Sequence, residues 1–203
     1  MSDAIELWFE FASTYSYPAV SRAEQVARAA GVGIVWRPFL LGPIFHSQGW
    51  NDSPFNVYPV KGRYMWRDLE RLCARYGLPF RRPSQFPRNG LLAARLAVLG
   101  ADAEWGPDFV RAVYRANFAD DRDIADPAVL AGILETLGQP ARALLERAGS
   151  QDVKDALRRQ TEAAIAHGIF GAPTFRVGTE LFWGDDRLEQ AIEWQRRGSE
   201  GHR

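Results

Sequence analysis

Hydroxyl side chains are concentrated in residues 11–18, between a predicted first strand at 5–11 and a predicted first helix that begins at Pro18. Two serines, Ser13 and Ser16, stand three positions apart in this stretch. The free backbone N–H groups at a helix start favour a bound anion, and a seryl hydroxyl can donate a hydrogen bond to a thiolate. Because oxygen cannot form disulfides, the thiol of such a site would come from a ligand. The simpler alternative is that these hydroxyls only cap the helix.

The composition is that of an ordinary globular chain without an overall electrostatic field. Of 203 residues, 46% are hydrophobic, and 25 basic residues balance 25 acidic ones. A formal net charge of zero gives no long-range attraction for nucleic acid or anionic lipid, so neither is predicted as a partner. The single cysteine, Cys73, excludes a disulfide within the chain. The three histidines lack the spacing of a metal site, and none is predicted.

The sequence carries no pattern of secretion or membrane insertion. The chain starts Met-Ser-Asp-Ala-Ile-Glu, without the basic segment and apolar run of a secretory signal. The most apolar helical stretch, residues 91–99, is interrupted by Arg95 and is too short to span a bilayer. These features predict a cytoplasmic protein that has no membrane partner.

The order of elements begins with a strand, a helix and a second strand. Alternating apolar residues predict the strand at 5–11, Gly31 and Gly33 end the helix, and residues 34–40 form the next strand. Such a unit places its two strands parallel, with a right-handed crossover. Residues 42–62 follow and are rich in proline, glycine, asparagine and aromatic side chains. They are predicted to form a long functional loop without regular structure.

The remainder of the chain forms a helical block and then a β-β-α unit. Periodic apolar residues predict a series of helices from Arg63 to Gly168. Strands at 174–177 and 181–183 are joined by a short turn that contains glycine, which predicts an antiparallel hairpin. A final helix is predicted from Arg187 onwards.

Together these elements predict an α/β, thioredoxin-like fold, β-α-β … β-β-α, that is interrupted by an inserted all-helical domain. The thioredoxin-like domain would comprise residues 1–42 and 169–203. Residues 43–168 would form the loop and helical insertion. No internal repeat or low-complexity segment interrupts this order.

Several motifs, in this order and spacing, resemble those of one enzyme family. The sequence is similar to the 2-hydroxychromene-2-carboxylate isomerase family, a relative of the kappa-class glutathione transferases within the DsbA-like thioredoxin superfamily. The motifs are Phe9-Glu10-Phe11-x-Ser13-x-Tyr15-Ser16-Tyr17, Lys61-Gly62-Arg63-Tyr64-Met65, Asp68-Leu69-x-Arg71, Gly168-Ile169-Phe170-Gly171-Ala172-Pro173-Thr174-Phe175 and Phe182-Trp183-Gly184-x-Asp186-Arg187-Leu188.

The resemblance implies that glutathione is the cofactor and that Ser13 faces its sulfur. It also implies a cis peptide bond before Pro173, which turns the backbone of Ala172 toward the peptide-like ligand, as an added strand would pair. The alternative for this dipeptide is an ordinary trans bond in a strand-entry loop. One departure from the family is Thr14, which stands where the family commonly has proline.

Charged residues are assigned to the two ends of the ligand through the same resemblance. Asp185 and Asp186 would hold the γ-glutamyl end, where a carboxylate suits the ammonium group. Helix capping by Asp185, with Asp186 in the first turn, is the alternative. Lys61 would meet the carboxylate of glutathione or of a pyruvate-bearing substrate, or would simply be solvated.

Aromatic residues are candidates for the wall of a substrate pocket. Tyr17, Trp50 and Tyr64 are assigned to it, and Trp66 is a further candidate. Packing in the core is the alternative, because it is the more common position of aromatic side chains.

The implied activity is the glutathione-dependent isomerisation of 2-hydroxychromene-2-carboxylate or a similar aromatic α-keto acid, through reversible thiolate addition and bond rotation. The resemblance also implies a homodimer. Two alternatives stay open. One is a kappa-type glutathione transferase or peroxidase, in which the thiolate attacks an electrophile. The other is a non-catalytic glutathione- or peptide-binding module with a thioredoxin fold.

Overall fold

The computed structural model describes residues 4–200 and contains four strands, ten α-helices and one 3-10 turn within that range. The terminal residues of the predicted thioredoxin-like domain, 1–3 and 201–203 with His202 among them, lie outside the described residues. In chain order the elements are β1 Ala4–Phe9, α1 Ser16–Ala29, β2 Gly33–Pro38, α2 Leu41–Ser47, α3 Pro54–Val57, α4 Pro59–Tyr76, α5 Leu91–Leu99, α6 Gly106–Phe118, α7 Pro127–Thr136, α8 Ala141–Ala148, α9 Gln151–Ala166, β3 Thr174–Val177, β4 Glu180–Trp183, the 3-10 turn Asp185–Arg187, and α10 Leu188–Glu200.

The four strands form one mixed sheet in the order β2-β1-β3-β4. β1 pairs with β2 in parallel, and the hairpin of β3 and β4 joins the other side of β1 with antiparallel pairing. On one face of β1, Ile5, Leu7 and Phe9 are fully buried. Trp8 points to the opposite face and is also buried, against Phe39. β1 therefore lies in a sheet that is covered on both faces. The predicted thioredoxin-like fold with its helical insertion is confirmed.

The segment predicted as a long loop without regular structure is instead partly helical. It contains α2, α3 and the start of α4. Ser53 caps α3 because its hydroxyl accepts a hydrogen bond from the Phe55 N–H. Proline occupies an early position in both α3 and α4, where its missing N–H costs nothing. A side chain at Gly62 would overlap the Phe55 carbonyl, so glycine allows the two helices to meet.

The helical insertion packs on the sheet through a shared set of buried side chains. One cluster contains Phe9 of β1, Val20 of α1, Phe175 of β3, Met65 of α4 and Phe109 of α6. Both predicted units therefore contribute to one continuous core. None of the helices within residues 4–200 is long and apolar enough to cross a membrane.

Candidate active site

A cavity of about 1070 Å³ opens where the end of β1 meets the start of α1. Its volume is at the upper end of ordinary small-molecule sites. Five other parts of the chain surround this strand-to-helix junction, and the pocket is therefore built jointly by the sheet and the insertion. The lining residues are drawn from the segments 10–15, 40–55, 61–72, 86–91, 170–172 and 183–186.

Ser13 lies just before the N-terminus of α1, and its hydroxyl is near two backbone groups, the Ala172 carbonyl and the Ser16 N–H. The Ser13 N–H donates to the Glu10 carbonyl at 2.9 Å, which closes a tight turn after β1. The Ser13 hydroxyl donates to the Ala172 carbonyl at 2.8 Å and lies 3.4 Å from the N–H of Ser16. Because a hydroxyl has one proton, the Ser13 donor is used by Ala172 in this arrangement. The long contact to Ser16 makes only a weak helix cap.

A second hydroxyl at this junction has no protein partner. Thr14 is 1% exposed and lines the cavity, and its Oγ1 has no hydrogen-bond partner among residues 4–200. The first turn of α1 begins Ser16-Tyr17-Pro18 and so carries no acidic side chain that would oppose an anion. An orphaned hydroxyl, the Ser13 hydroxyl and a helix N-terminus together fit an anionic ligand such as a thiolate.

The segment that ends at Ala172–Pro173 forms the wall beside Ser13 and lines the cavity through residues 170–172. Its peptide bond is cis, as the resemblance implied. The Pro173 carbonyl accepts a hydrogen bond from the Gly184 N–H at 3.0 Å, which ties the segment to the turn before α10. Trp183 covers Gly171 so closely that a Cβ at this glycine would overlap the indole ring. The backbone of this wall is thus fixed by contacts on its far side.

Asp185 and Asp186 occupy different environments, although they are neighbours in sequence. Asp185 is 3% exposed, and its carboxylate accepts from Arg22 Nε at 3.1 Å and from the Tyr76 hydroxyl at 3.3 Å. Burial raises the pKa of Asp185, while Arg22 acts in the opposite direction. The Asp185 carboxylate is therefore bound by other parts of the protein. Asp185 does not cap the helix, because the capping position is Gly184, while Asp186 lies in the first turn as the alternative had it. Asp186 is exposed and lies 3.5 Å from Arg187.

Lys61, Trp50 and Tyr64 are brought to the cavity as expected. The Lys61 side chain is exposed, and its Nζ lies 5.7 Å from the centre of the Tyr58 ring. Trp50 packs at an angle against Phe45, with 5.8 Å between the ring centres. This side of the cavity is therefore aromatic, with the exposed ammonium group of Lys61 at its edge.

The assignment of Tyr17 to the substrate pocket is wrong. Tyr17 is 2% exposed, stacks on Phe118 with 5.6 Å between ring centres, and donates its hydroxyl to the Pro79 carbonyl at 2.6 Å. Burial raises the pKa of Tyr17 to about 12. Trp66 is likewise buried, against Phe86. Both rings lie on the buried faces of their helices, α1 for Tyr17 and α4 for Trp66.

The sequence interpretation missed Glu10, which lines the cavity directly before the Ser13 turn. Its Oε2 accepts from the Ala12 N–H at 3.0 Å, and burial raises its pKa to about 7. The only signal in the sequence was a carboxylate between two buried aromatic residues, Phe9 and Phe11, at the end of a strand. Within residues 4–200, no group of three or more histidine, cysteine or acidic side chains is arranged to hold a metal ion.

Comparisons with known proteins agree with this geometry. Residues 4–193 match the model of the DSBA-like thioredoxin domain. The 2-hydroxychromene-2-carboxylate isomerase of Sphingobium xenophagum is 34% identical over 190 residues, which are 93% of this chain and 96% of that protein. Human glutathione S-transferase kappa 1 is 26% identical over 200 residues, which are 91% of this chain and 87% of that protein.

A solved structure of a 2-hydroxychromene-2-carboxylate isomerase superposes with a TM-score of 0.86 at 27% identity, over 98% of this chain and 97% of that one. The similarity therefore covers the sheet, the helical insertion and every segment that lines the cavity. The resemblance seen in the motifs is confirmed. The chain belongs to the DSBA-like thioredoxin family and, within it, to the family of 2-hydroxychromene-2-carboxylate isomerases.

Proposed function

We propose that this protein is a glutathione-dependent isomerase of 2-hydroxychromene-2-carboxylate or a similar aromatic α-keto acid. The observation that carries the proposal is the Ser13 hydroxyl, which lies at the start of α1, lines the cavity and donates to the Ala172 carbonyl at 2.8 Å. Oxygen at this position excludes disulfide chemistry but suits the binding of a thiolate from a ligand. The relatives named as isomerases support the reaction class.

Each end of glutathione has a fitting group in the cavity. Ser13 would transfer its hydrogen bond from Ala172 to the sulfur, where the start of α1 adds a favourable field. The backbone of Ala172 would pair with the peptide part. Asp186 would receive the ammonium group, and Lys61 a carboxylate. Asp185 would act indirectly, because its ion pair with Arg22 holds the turn that presents Asp186.

Bound glutathione would supply a thiolate that adds reversibly to a conjugated carbon, so that the double bond can rotate. The protein's contribution is to stabilise the anion and to orient both partners. Trp50 and Tyr64 offer aromatic surface to the substrate ring. A homodimer and a cytoplasmic location stay predictions that rest on the sequence.

A kappa-type transferase is the second candidate, and the human relative of that name supports it. The two reactions differ in the fate of the sulfur. An isomerase returns free glutathione after each turnover, whereas a transferase consumes it. Quantifying free thiol during turnover of a chromene carboxylate therefore separates them. A binding module would take up glutathione without turning over either substrate.

Replacing Ser13 by alanine tests the central contact. We expect turnover to fall by about a hundredfold, since removing a single donor to a developing anion commonly has this effect. We also expect the pH needed for thiolate formation to rise by roughly one unit, because the anion loses a hydrogen bond. The measurements are steady-state kinetics and the ultraviolet difference spectrum on glutathione addition.

Ser21→Ala is the matched control on the same helix. The Ser21 hydroxyl donates to the Tyr17 carbonyl at 2.7 Å and lies outside the cavity lining. This variant should keep both the turnover and the thiolate titration of the wild type. If Ser13→Ala also keeps both, Ser13 does not contact the sulfur and the proposed function loses its main support.

A further inference from the structure

Glu10 is a carboxylate placed in the cavity beside Ser13. Its Oε2 accepts from the Ala12 N–H at 3.0 Å, and the neighbouring Ser13 N–H also acts to lower its pKa. The backbone carbonyl of Glu10 is held separately, by the N–H of Ser13 at 2.9 Å and by the Tyr114 hydroxyl at 2.6 Å. The side chain is therefore anchored at the same turn that positions the Ser13 hydroxyl.

No cation pairs with this carboxylate within residues 4–200. The titratable group that faces Glu10 from α6 is Tyr114, whose pKa is raised well above its ordinary value by burial, so that it stays neutral. At the entry to α5 the neighbour is Gly90, where an added Cβ would lie 3.3 Å from Glu10 Oε1. Ala12 and Ser13 offer only N–H groups, and burial outweighs them. Glu10 is thus a carboxyl group that can gain or lose a proton near neutral pH.

The other acidic side chains of the cavity already have partners. Asp68 accepts from the Tyr15 hydroxyl at 3.1 Å, and Asp185 is paired with Arg22. Asp52 accepts from the side-chain amide of Asn56 at 3.0 Å as well as from the Ser53 N–H at 2.6 Å. Asp186 lies 3.5 Å from the Arg187 guanidinium. Each of these four has a side-chain partner, whereas Glu10 lies at the Ser13 turn and its carboxylate contacts only backbone N–H groups.

We propose that Glu10 is the proton acceptor for the thiol of glutathione. The proposal rests on the proposed function, since it concerns the same bound thiol. The S–H bond breaks, its electron pair stays on sulfur, and the proton forms an O–H bond at the Glu10 carboxylate. When the thiol is released, the proton returns to sulfur. No other reactant is consumed, and Ser13 remains the donor to the anion.

The proton balance of glutathione binding tests this assignment. Calorimetry in two buffers of different ionisation enthalpy gives the protons released, and the ultraviolet difference spectrum gives the thiolate formed. About one pH unit above the pKa of Glu10, the carboxylate is ionised, and we expect thiolate with almost no proton released to the buffer. About one unit below it, Glu10 is already protonated, so each thiolate should release about one proton.

In Glu10→Gln we expect glutathione to bind within about threefold of the wild-type affinity but with about one proton released per thiolate at both pH values. Gln keeps an oxygen for the Ala12 N–H, which favours an intact turn. Asp52→Asn removes a carboxylate from the same cavity, and His46→Gln removes an exposed imidazole from α2. Both controls should keep the wild-type proton balance.

The outcomes separate this inference from the proposed function. Wild-type protein that forms thiolate but releases a full proton at both pH values overturns the role of Glu10 and leaves the glutathione site in place. An unchanged proton balance in Glu10→Gln does the same. Wild-type protein that binds no glutathione, or binds it without thiolate, overturns both. The wild-type measurement decides the matter even if the variant does not fold.

Discussion

At the scale of single residues, the cavity places a carboxyl group where burial opposes its charge. The pKa of Glu10 is raised from an ordinary value of 4.5 to about 7. A group whose proton affinity is higher in the folded than in the unfolded chain makes stability depend on pH. Between these two pKa values the folded protein binds more protons, so stability falls as the pH rises from 4.5 to about 7.

Glu10→Gln should therefore stabilise the fold in alkaline solution. Above pH 7 we expect the free energy of unfolding to rise by about 2 kcal/mol, since the variant no longer buries a charge. At pH values below the ordinary pKa, the carboxyl group is neutral in both states, and the advantage should disappear. Urea unfolding at several pH values measures the difference. The exposed Glu104→Gln should show no such dependence, and a uniform effect of Glu10→Gln at all pH values would contradict the explanation.

At this scale the position of a residue could be predicted from the sequence where the backbone alone decides it, whereas the role of Ser13 stays a prediction. Ser13 was predicted because it precedes a helix, and the structure places it at the cavity. Tyr17 was wrong because only the packing of α1 against α6 shows which helix face is buried. Glu10 was missed because an acidic residue at a strand end is ordinarily exposed, whereas segments distant in the sequence, near Tyr114 and Gly90, leave it only partly exposed.

At the scale of elements, an ion-pair network joins α1 to the turn before α10. Arg22 is held by the carboxylate and carbonyl of Asp185 and by Glu189. The side chain of Arg22 is 10% exposed and that of Asp185 is 2% exposed. Breaking a buried pair by removing one partner leaves an uncompensated charge, which is strongly destabilising.

Arg22→Met should lower the free energy of unfolding by about 3 kcal/mol for this reason. It should also weaken glutathione binding, because the turn that carries Asp186 loses its anchor. Arg28→Met is the matched control on the same helix, since the pair of Arg28 with Glu24 is exposed and its loss should cost less than about 0.5 kcal/mol. Equal losses in the two variants, measured by urea unfolding, would show that the buried network has no special role.

Helices were predicted most accurately where a capping residue or the helical periodicity of apolar residues marked them. Asp126 caps α7 through the Ala128 N–H, and Pro127 occupies the first helical position, where its missing N–H costs nothing. The short helices α2 and α3 were missed because they have seven and four residues, too few to show a helical period. Their formation depends on local caps and on contact with α4 at Gly62.

At the scale of the whole molecule, one set of buried side chains holds the sheet and the insertion together. The division into a thioredoxin-like domain and an insertion stays a prediction, because a boundary in the sequence does not show whether the two parts unfold independently. The β-α-β and β-β-α units could be read from the chain, since each is local. The packing of the insertion over the sheet could not, because it depends on contacts between residues far apart.

The shared core predicts that the protein unfolds in a single cooperative transition. A domain that unfolded separately would have to expose Phe109 of α6 and Phe9 of β1 in different steps, although both belong to one cluster. We expect the calorimetric and van't Hoff enthalpies of unfolding to agree. Two resolved heat-absorption peaks, or a calorimetric enthalpy well above the van't Hoff value, would show that the insertion is an independent unit.

The hydrogen bond from Ser13 to the Ala172 carbonyl acts as an internal competitor for any ligand. An anionic sulfur compensates for the loss of this bond, because a charged acceptor forms the stronger hydrogen bond. A thioether sulfur is a weak acceptor and does not. Under the proposed function, the hydroxyl would return to Ala172 whenever the sulfur is substituted, and the site would thus favour free glutathione over its S-conjugates.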